Sequence, residues 1–400
     1  MIARSVAVLP LFFLAACGQH IVPDTPPAPS PASGELETSL FLIGDAGNPR
    51  RDEPVFLALR TLIARDTARS LVIFLGDNVY PRGLPGPGSP GYDSAAIRLD
   101  TQVELLTGTG VQGYFVPGNH DWDRFGPDGW NAVRRQEARI REKGEPLVRL
   151  LPTDGCPGPR VIDVRDRLRL ILLDTQWWLH GGEKPQDGSS GCSAFTPSAV
   201  EAALRDSVRG AGSRHVVVAA HHPLATGGEH GGFFDWKDHI FPLRHAASWL
   251  WLPLPVLGSA YPIARGFGVT SQDISNKKYS AMIRAFGKAF EGHTPLIYAA
   301  GHEHGLQVIK GGPVRWQLVS GAGIYDHAGP LVGVPGTLLA ASTAGFMRVD
   351  LLRDGRVRLG VLTVDRSGGA IEVYSRWLES LPAEKPADPA RQDSQSCGAN

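Results

Sequence analysis

Five apolar runs punctuate the first three-quarters of the chain, at 40–43, 71–75, 114–116, 215–220 and 296–300. They are continuous rather than alternating, the pattern of parallel strands covered on both faces. Stretches with helical character alternate with them at 54–65, 94–106, 130–141 and 197–208, and a further helix is expected from about Ser275. Beyond residue 300 the rhythm changes. The segments 306–309, 314–319, 345–352, 357–364 and 371–375 read as a largely antiparallel run of strands. The fold class is therefore α/β.

Each of the five runs ends in a short polar fragment. In order these are Gly44-Asp45-Ala46-Gly47, Gly76-Asp77-Asn78-Val79-Tyr80, Gly118-Asn119-His120-Asp121, the His221 that follows Ala220, and Gly301-His302-Glu303-His304. Ligands of open α/β folds bind beyond the carboxyl ends of the strands. Five strand ends thus deliver Asp45, Asp77, Tyr80, Asn119, His221, His302 and His304 to one place, and that is a metal site. The donors are too many for one ion, which implies two ions sharing a bridging group. Two-metal sites, with ions about 3.5–4 Å apart, activate water and clamp the oxygens of a phosphoryl displacement. Asp77 is the natural bridge because a carboxylate has two oxygens. Tyr80 discriminates among metals: a phenol of pKa near about 10 ligates as phenolate only beside a strong Lewis acid. Ferric iron fits that side, with a divalent ion next to it.

Taken singly, every residue has an ordinary reading. Asp45, Asp77 and Asn119 are common turn residues after strands, and Tyr80 alone reads as a half-buried aromatic. His302 and His304 alternate around Glu303, so on a strand they would share a face. His222 would point away from His221 and reads as structural. His180, His215, His239, His245, His293 and His327 fall in no motif and read as solvated or core residues, and Trp177 and Trp178 as packing. Five fragments in order at strand ends outweigh these readings.

The fragments resemble the calcineurin-like metallophosphoesterases, and within them the purple acid phosphatases. Asp45-x-Gly47 replaces the Asp-x-His of the wider superfamily, and Gly76-Asp77-x-x-Tyr80 supplies the tyrosine. The small tartrate-resistant type looks closest, through His221-His222-Pro223, Glu229-His230-Gly231 and the run from Gly301 to Gln307. The likeness spans about 40–307. It implies a four-layer αββα sandwich of two mixed sheets flanked by helices. It also implies that Asp45, Tyr80 and His304 hold Fe3+, that Asp77 bridges, and that Asn119, His221 and His302 hold Fe2+, Zn2+ or Mn2+. His120 and His230 would contact substrate phosphate, with Asn119 and Glu229 beside them. Asp121 would orient His120 through its other ring nitrogen. The implied reaction is attack of a metal-bound hydroxide on a phosphate ester, with His120 or His230 as general acid.

Composition narrows the class without changing it. Lys plus Arg and Asp plus Glu are 40 each, so no global field favours nucleic acid or an anionic membrane. The expected partner is a phosphorylated small molecule or ester, and the chain is expected to be a monomer. Arg4, the apolar stretch 6–13 and Leu14-Ala15-Ala16-Cys17 resemble a bacterial lipoprotein signal, with Cys17 lipidated. Gly18 after it favours outer-membrane sorting and a periplasm-facing domain. Residues 18–37, with five prolines at 23, 26, 27, 29 and 31, read as an extended tether. The folded domain is expected over 38–380, and 381–400 reads as a disordered tail.

Cys156 precedes a short strand at 161–164 and Cys192 follows another at 168–173. A hairpin turning at Asp166-Arg167 would bring their outer ends together, so a Cys156–Cys192 disulfide is expected, with Cys397 free. The segment 225–272 is long for a connection and carries Trp249-Leu250-Trp251-Leu252-Pro253-Leu254-Pro255-Val256-Leu257. Around 245–262 it reads as a lid or a satellite core in preference to a membrane-resting surface. It is too short and interrupted for a span, which needs about 20 apolar residues. Two other functions fit the same chain. One is a manganese or zinc phosphodiesterase in which Tyr80 does not ligate, and the other is a non-catalytic envelope lipoprotein that binds through this scaffold.

Overall fold

The computed structural model describes residues 20–21, 26–245 and 249–379. Cys17, Cys397, the signal segment 1–17 and the tail 381–400 lie outside the described residues. Two mixed sheets face each other. The first has the order β15 (Ala370–Glu379), β14 (Val357–Val364), β13 (Gly345–Leu352), β2 (Leu36–Ile43), β3 (Ser70–Phe74), β4 (Gln112–Phe115), β5 (Val148–Leu150). The second runs β1 (His20–Ile21), β12 (Thr337–Ala341), β10 (Leu306–Lys310), β11 (Trp316–Ser320), β9 (Ile297–Ala300), β8 (His215–Ala219), β7 (Leu168–Leu172), β6 (Arg160–Val164). The central strands β2–β5 are parallel in one sheet, and β7, β8, β9 and β11 in the other.

Three apolar layers hold these sheets together. Leu40, Leu42, Leu71 and Ile73 meet Leu170, Val217, Ile297 and Leu318 between the sheets. On the outer face of the first sheet, Phe41, Val72, Phe74 and Phe115 pack on α1 (Pro54–Ile63), α2 (Tyr92–Thr107) and α3 (Gly129–Gly144). The helix α4 (Thr175–Leu179) follows β7. On the outer face of the second sheet, Ile171, Val216, Val218 and Tyr298 pack on α5 (Pro197–Arg209) and α8 (Lys277–Ala289). Strand residues that are covered on both sides must be apolar at every position. That is why the runs read as continuous. Helix, sheet, sheet, helix is the expected αββα order.

The hairpin of β6 and β7 pairs Arg160 with Leu172 and Val164 with Leu168. Its outer ends bring Cys156 and Cys192 to a Cα separation of 5.6 Å, and the two are disulfide-bonded. The described part of the stretch read as a tether lies on the domain. His20 and Ile21 pair with Ala340 and Leu339 of β12. Ala28 is buried, and its carbonyl accepts from the buried Arg358 guanidinium at 2.9 and 3.1 Å. Leu36 already opens β2. A buried guanidinium needs acceptors, and this chain segment supplies one.

The insertion is folded rather than loop-like. It contains α6 (Trp236–Ile240) and α7 (Ala260–Gly266), which contact each other. Among its described residues Trp249, Trp251, Leu252, Val256 and Leu257 are exposed.

Candidate metal centre

The turns after β2, β3, β4, β8 and β9 converge at one end of the two sheets. Three of the expected ligands sit in left-handed backbone: Asp45 at φ 56°, Asp77 at φ 53° and His302 at φ 68°. Asp and His tolerate this region better than most residues, and strained positions gather at functional sites. The turns are also crowded. Gly76, at φ +91°, lies so near His221 that a Cβ would meet the ring nitrogen at 2.5 Å. A Cβ on Gly118 would collide with the Asp77 carboxylate and come within 2.9 Å of the His221 ring. The glycines of these fragments are there because backbone touches ligand.

Around His221 three electron-pair donors converge. His221 Nδ1 donates to the Leu75 carbonyl at 2.8 Å, so its Nε2 is free. His302 Nε2 donates to the Gln272 carbonyl at 3.2 Å, so its Nδ1 is free. Those free nitrogens lie 3.2 Å apart, and Asn119 Oδ1 is 2.9 Å from one and 3.0 Å from the other. With both rings neutral, the two facing nitrogens and the Asn119 oxygen are all lone-pair donors, and a cation between them turns that convergence from repulsion into binding. Asp77 Oδ1 stands 3.5 Å from His221 Nε2.

A second cluster lies beside the first. The Tyr80 hydroxyl donates to Asp45 Oδ1 at 3.1 Å and is 3.3 Å from His304 Nε2, which is itself 3.5 Å from Asp45 Oδ1. Asp45, Asp77 and His221 place ligand atoms within 4.8 Å of one another, as do His221, His222 and His302. The donor set, buried and mixed carboxylate and imidazole, fits a pair of metal ions. His222 is less suited to ligate. Thr175 Oγ1 lies 2.8 Å from its Nδ1, and its Nε2 donates to Gln272 Oε1 at 2.8 Å, so both nitrogens are engaged.

The electrostatics follow from burial. Burial alone would raise the Asp77 carboxyl, yet His221, His120 and the His120 N–H hold it below its ordinary value. Burial and the Asp45 and Asp77 charges push the Tyr80 phenol well above its ordinary value. Burial opposes the imidazolium of His304, but Asp45 lifts it to about 9. Burial depresses His302 strongly, aided by His230, His222 and His221. The metal-free centre therefore holds protons that ions must displace.

The expected substrate-side residues are also nearby. His120 Nδ1 donates to the Pro81 carbonyl at 2.6 Å, leaving Nε2 3.8 Å from Asp77 Oδ2. His230 stacks on His302, with ring centroids 3.8 Å apart. Arg265 Nη2 donates to His230 Nδ1 at 3.2 Å, which leaves the proton of neutral His230 on Nε2. Arg265 also pairs with Glu229 and, at 2.7 Å, with Asp273.

Two sequence expectations are corrected here. Asp121 does not orient the His120 ring. Its buried carboxylate accepts the N–H groups of Gly118, Asn78 and Val79 at 2.7–3.1 Å and so knots two ligand-bearing turns together. The Pro81 carbonyl takes the orienting role. His302 and His304 do not share a strand face, because β9 ends at Ala300 and the chain turns through left-handed backbone at His302. The turn sends one imidazole to each cluster.

Other residues have roles that no motif assigned. Buried Glu303 accepts the N–H groups of Glu229 and His230, each at 3.1 Å, and fixes that loop. His327 lies with its ring 4.0 Å from His304 and 5.2 Å from Tyr80, centroid to centroid. Gln272, Asp273 and Arg265 come from the far end of the insertion, which no local pattern links to the strand ends.

The model of the calcineurin-like phosphoesterase family matches residues 40–306 of this chain. Among curated proteins none matches it in sequence. Its fold is similar to that of PhoD at 11% identity, with a TM-score of 0.50 over 89% of this chain and 74% of that one. A purple acid phosphatase from yellow lupin (Lupinus luteus) seeds aligns at 14% identity and a TM-score of 0.49, over 86% of this chain and 55% of the lupin chain. A dimetal phosphatase from Danio rerio aligns at 13% identity and a TM-score of 0.45, over 86% of this chain and 99% of that one. At these identities the likeness concerns the fold alone.

Proposed function

The chain belongs to the calcineurin-like phosphoesterase family, and from that premise we propose that it is a dinuclear phosphoesterase of the acid phosphatase type. The observation that carries this reading is the Tyr80 hydroxyl, placed 3.1 Å from Asp45 and 3.3 Å from His304. Asp45, Tyr80 and His304 would hold Fe3+, Asp77 would bridge, and Asn119, His221 and His302 would hold Fe2+, Zn2+ or Mn2+. When bound, such ions supply an activated water and a charge sink for phosphoryl transfer.

The remaining work falls to side chains of this protein. His120, anchored through Nδ1, presents Nε2 beside Asp77 and would protonate the departing alcohol oxygen. His230, with its Nε2 proton, would donate a hydrogen bond to a substrate phosphate oxygen. Arg265 and Glu303 hold His230 and Glu229 in place from two sides. The substrate is a phosphorylated small molecule or ester. Leu14-Ala15-Ala16-Cys17 supports a lipid anchor at Cys17 and a periplasm-facing protein, which mass spectrometry of the N-terminal peptide tests.

A second reading rests on the raised phenol of Tyr80. A side chain so reluctant to ionise could stay protonated beside manganese or zinc, giving a phosphodiesterase on the same scaffold. A visible spectrum of the purified protein, with metal analysis and a Tyr80→Phe variant, separates the two. A purple band that vanishes in the variant supports the acid phosphatase type. A colourless, active protein loaded with manganese or zinc supports the second reading.

A further inference from the structure

Most of the large apolar side chains left exposed among the described residues belong to one segment. Trp249, Trp251, Val256, Leu257, Phe267 and Val269 are between 52% and 86% exposed. A patch of this kind on a folded surface marks a docking site. The same helix that carries part of it also reaches the metal centre. On α7, Arg265 is buried against Glu229, His230 and Asp273, while Ile263 on the helix and Phe267 just after it are exposed.

Topology sets the start of β1 at that end too. Antiparallel pairing sets Leu306 of β10 against Ser320 of β11 and Ala341 of β12, at the metal-centre end of the sheet. The strand β1 is antiparallel to β12, with His20 opposite Ala340 and Ile21 opposite Leu339. The chain therefore enters β1 from the metal-centre end. Cys17 is three residues upstream of His20, and three residues span at most about 11 Å. A lipid on Cys17 would hold that end, not the opposite one, against its bilayer.

We propose that the apolar tip of the 225–272 insertion seats in the interfacial layer of a lipid bilayer, turning the metal-centre end of both sheets toward the membrane. Tryptophan and phenylalanine mixed with aliphatic residues are the composition that partitions into this layer. No helix among the described residues is long and apolar enough to cross a membrane, so the contact is superficial. The proposal draws on the reading of Cys17 as a lipid-attachment point and does not depend on catalysis.

The test uses the full chain purified from membranes, with Cys397→Ser and a polarity-sensitive fluorophore on Leu257→Cys, Phe267→Cys or Thr294→Cys. Thr294 is exposed in the turn before β9, at the opposite end of the sheet. In phosphatidylethanolamine–phosphatidylglycerol vesicles containing brominated lipid, probes at 257 and 267 should shift to the blue and be quenched, while the probe at 294 should do neither. Probes at 257 and 267 that stay in water overturn the proposal, whether or not Cys17 carries lipid. A blue shift without vesicles that grows with protein concentration would overturn it in favour of a second copy. Mass spectrometry of the N-terminal peptide and phosphate release on the same samples read lipidation and activity separately, so failure of either reading is not confused with failure of the docking.

Discussion

Nε2 of His221 and Nδ1 of His302 lie 3.2 Å apart, each ring having committed its other nitrogen to a backbone carbonyl. Two lone pairs at that distance repel unless an ion lies between them. Divalent metal added to the stripped protein should therefore raise its melting temperature. At a hundredfold excess over the dissociation constant the gain is about 2.7 kcal/mol, or about 4 °C for a domain of this size. His302→Ala should abolish most of the shift. An equal shift in the variant, read by scanning calorimetry, would place the ion elsewhere.

Gly118→Ala tests the crowding of the centre. A methyl group there has no room beside the Asp77 carboxylate and the His221 ring. The variant should keep its far-ultraviolet circular dichroism, lose bound metal and lose at least about 100-fold in turnover, since outer-sphere changes alone cost about 10–100-fold. Elemental analysis alongside kinetics decides it; full metal content with full activity would contradict the close approach.

Asp121→Asn should act on stability rather than on proton transfer. Asparagine offers one acceptor oxygen to the N–H groups of Gly118, Asn78 and Val79 and turns an amide toward the rest. Leaving buried donors unpaired costs about 1–3 kcal/mol each. Denaturant titration should show a loss of that order, while the pH dependence of the remaining activity keeps its shape. A displaced acid limb of that profile would restore Asp121 to the role of orienting His120.

His180 makes the fold acid-sensitive. It is 1% exposed, both ring nitrogens lack a partner, and it packs on Trp122. Burial, with Lys184 nearby, lowers its pKa to about 4 from 6.5. The unfolded chain thus binds a proton that the folded chain refuses, and stability falls as pH drops from 6.5 toward 4. A depression of that size corresponds to roughly 3 kcal/mol. His180→Phe should remove that loss, so urea midpoints of wild type and variant should diverge as pH falls through this window. Parallel pH dependence would show that His180 is charged or hydrated in the folded state.

The layers and the convergence of the candidate ligands are legible from residues because both depend on local chemistry. Continuous apolar runs announced β2, β3, β4, β8 and β9, and turn fragments after them announced Asp45, Asp77, Tyr80, Asn119, His221, His302 and His304. What escaped was set by contacts distant in sequence. The strand β5 has three residues and β12 five, too few for either to carry a period of its own. Glu303 and Asp121 work through backbone N–H groups, which no side-chain motif records. His327 stands beside His304 only because the chain after β11 folds back over Tyr80. The backbone sign of φ at His302 likewise depends on Asp45, whose carboxylate accepts its N–H at 2.8 Å.

On the proposed function, phosphate esters are hydrolysed at the His221–His302 centre with the help of bound metal. The most direct measurement is phosphate release from a simple aryl phosphate by the full chain, as purified, after chelation and after metal return, beside His302→Ala with its metal content. The expected result is two ions per chain, loss of hydrolysis on chelation, its recovery on reloading, and a variant that is inactive and metal-depleted. Undiminished hydrolysis by the stripped protein, or by the variant, would contradict it.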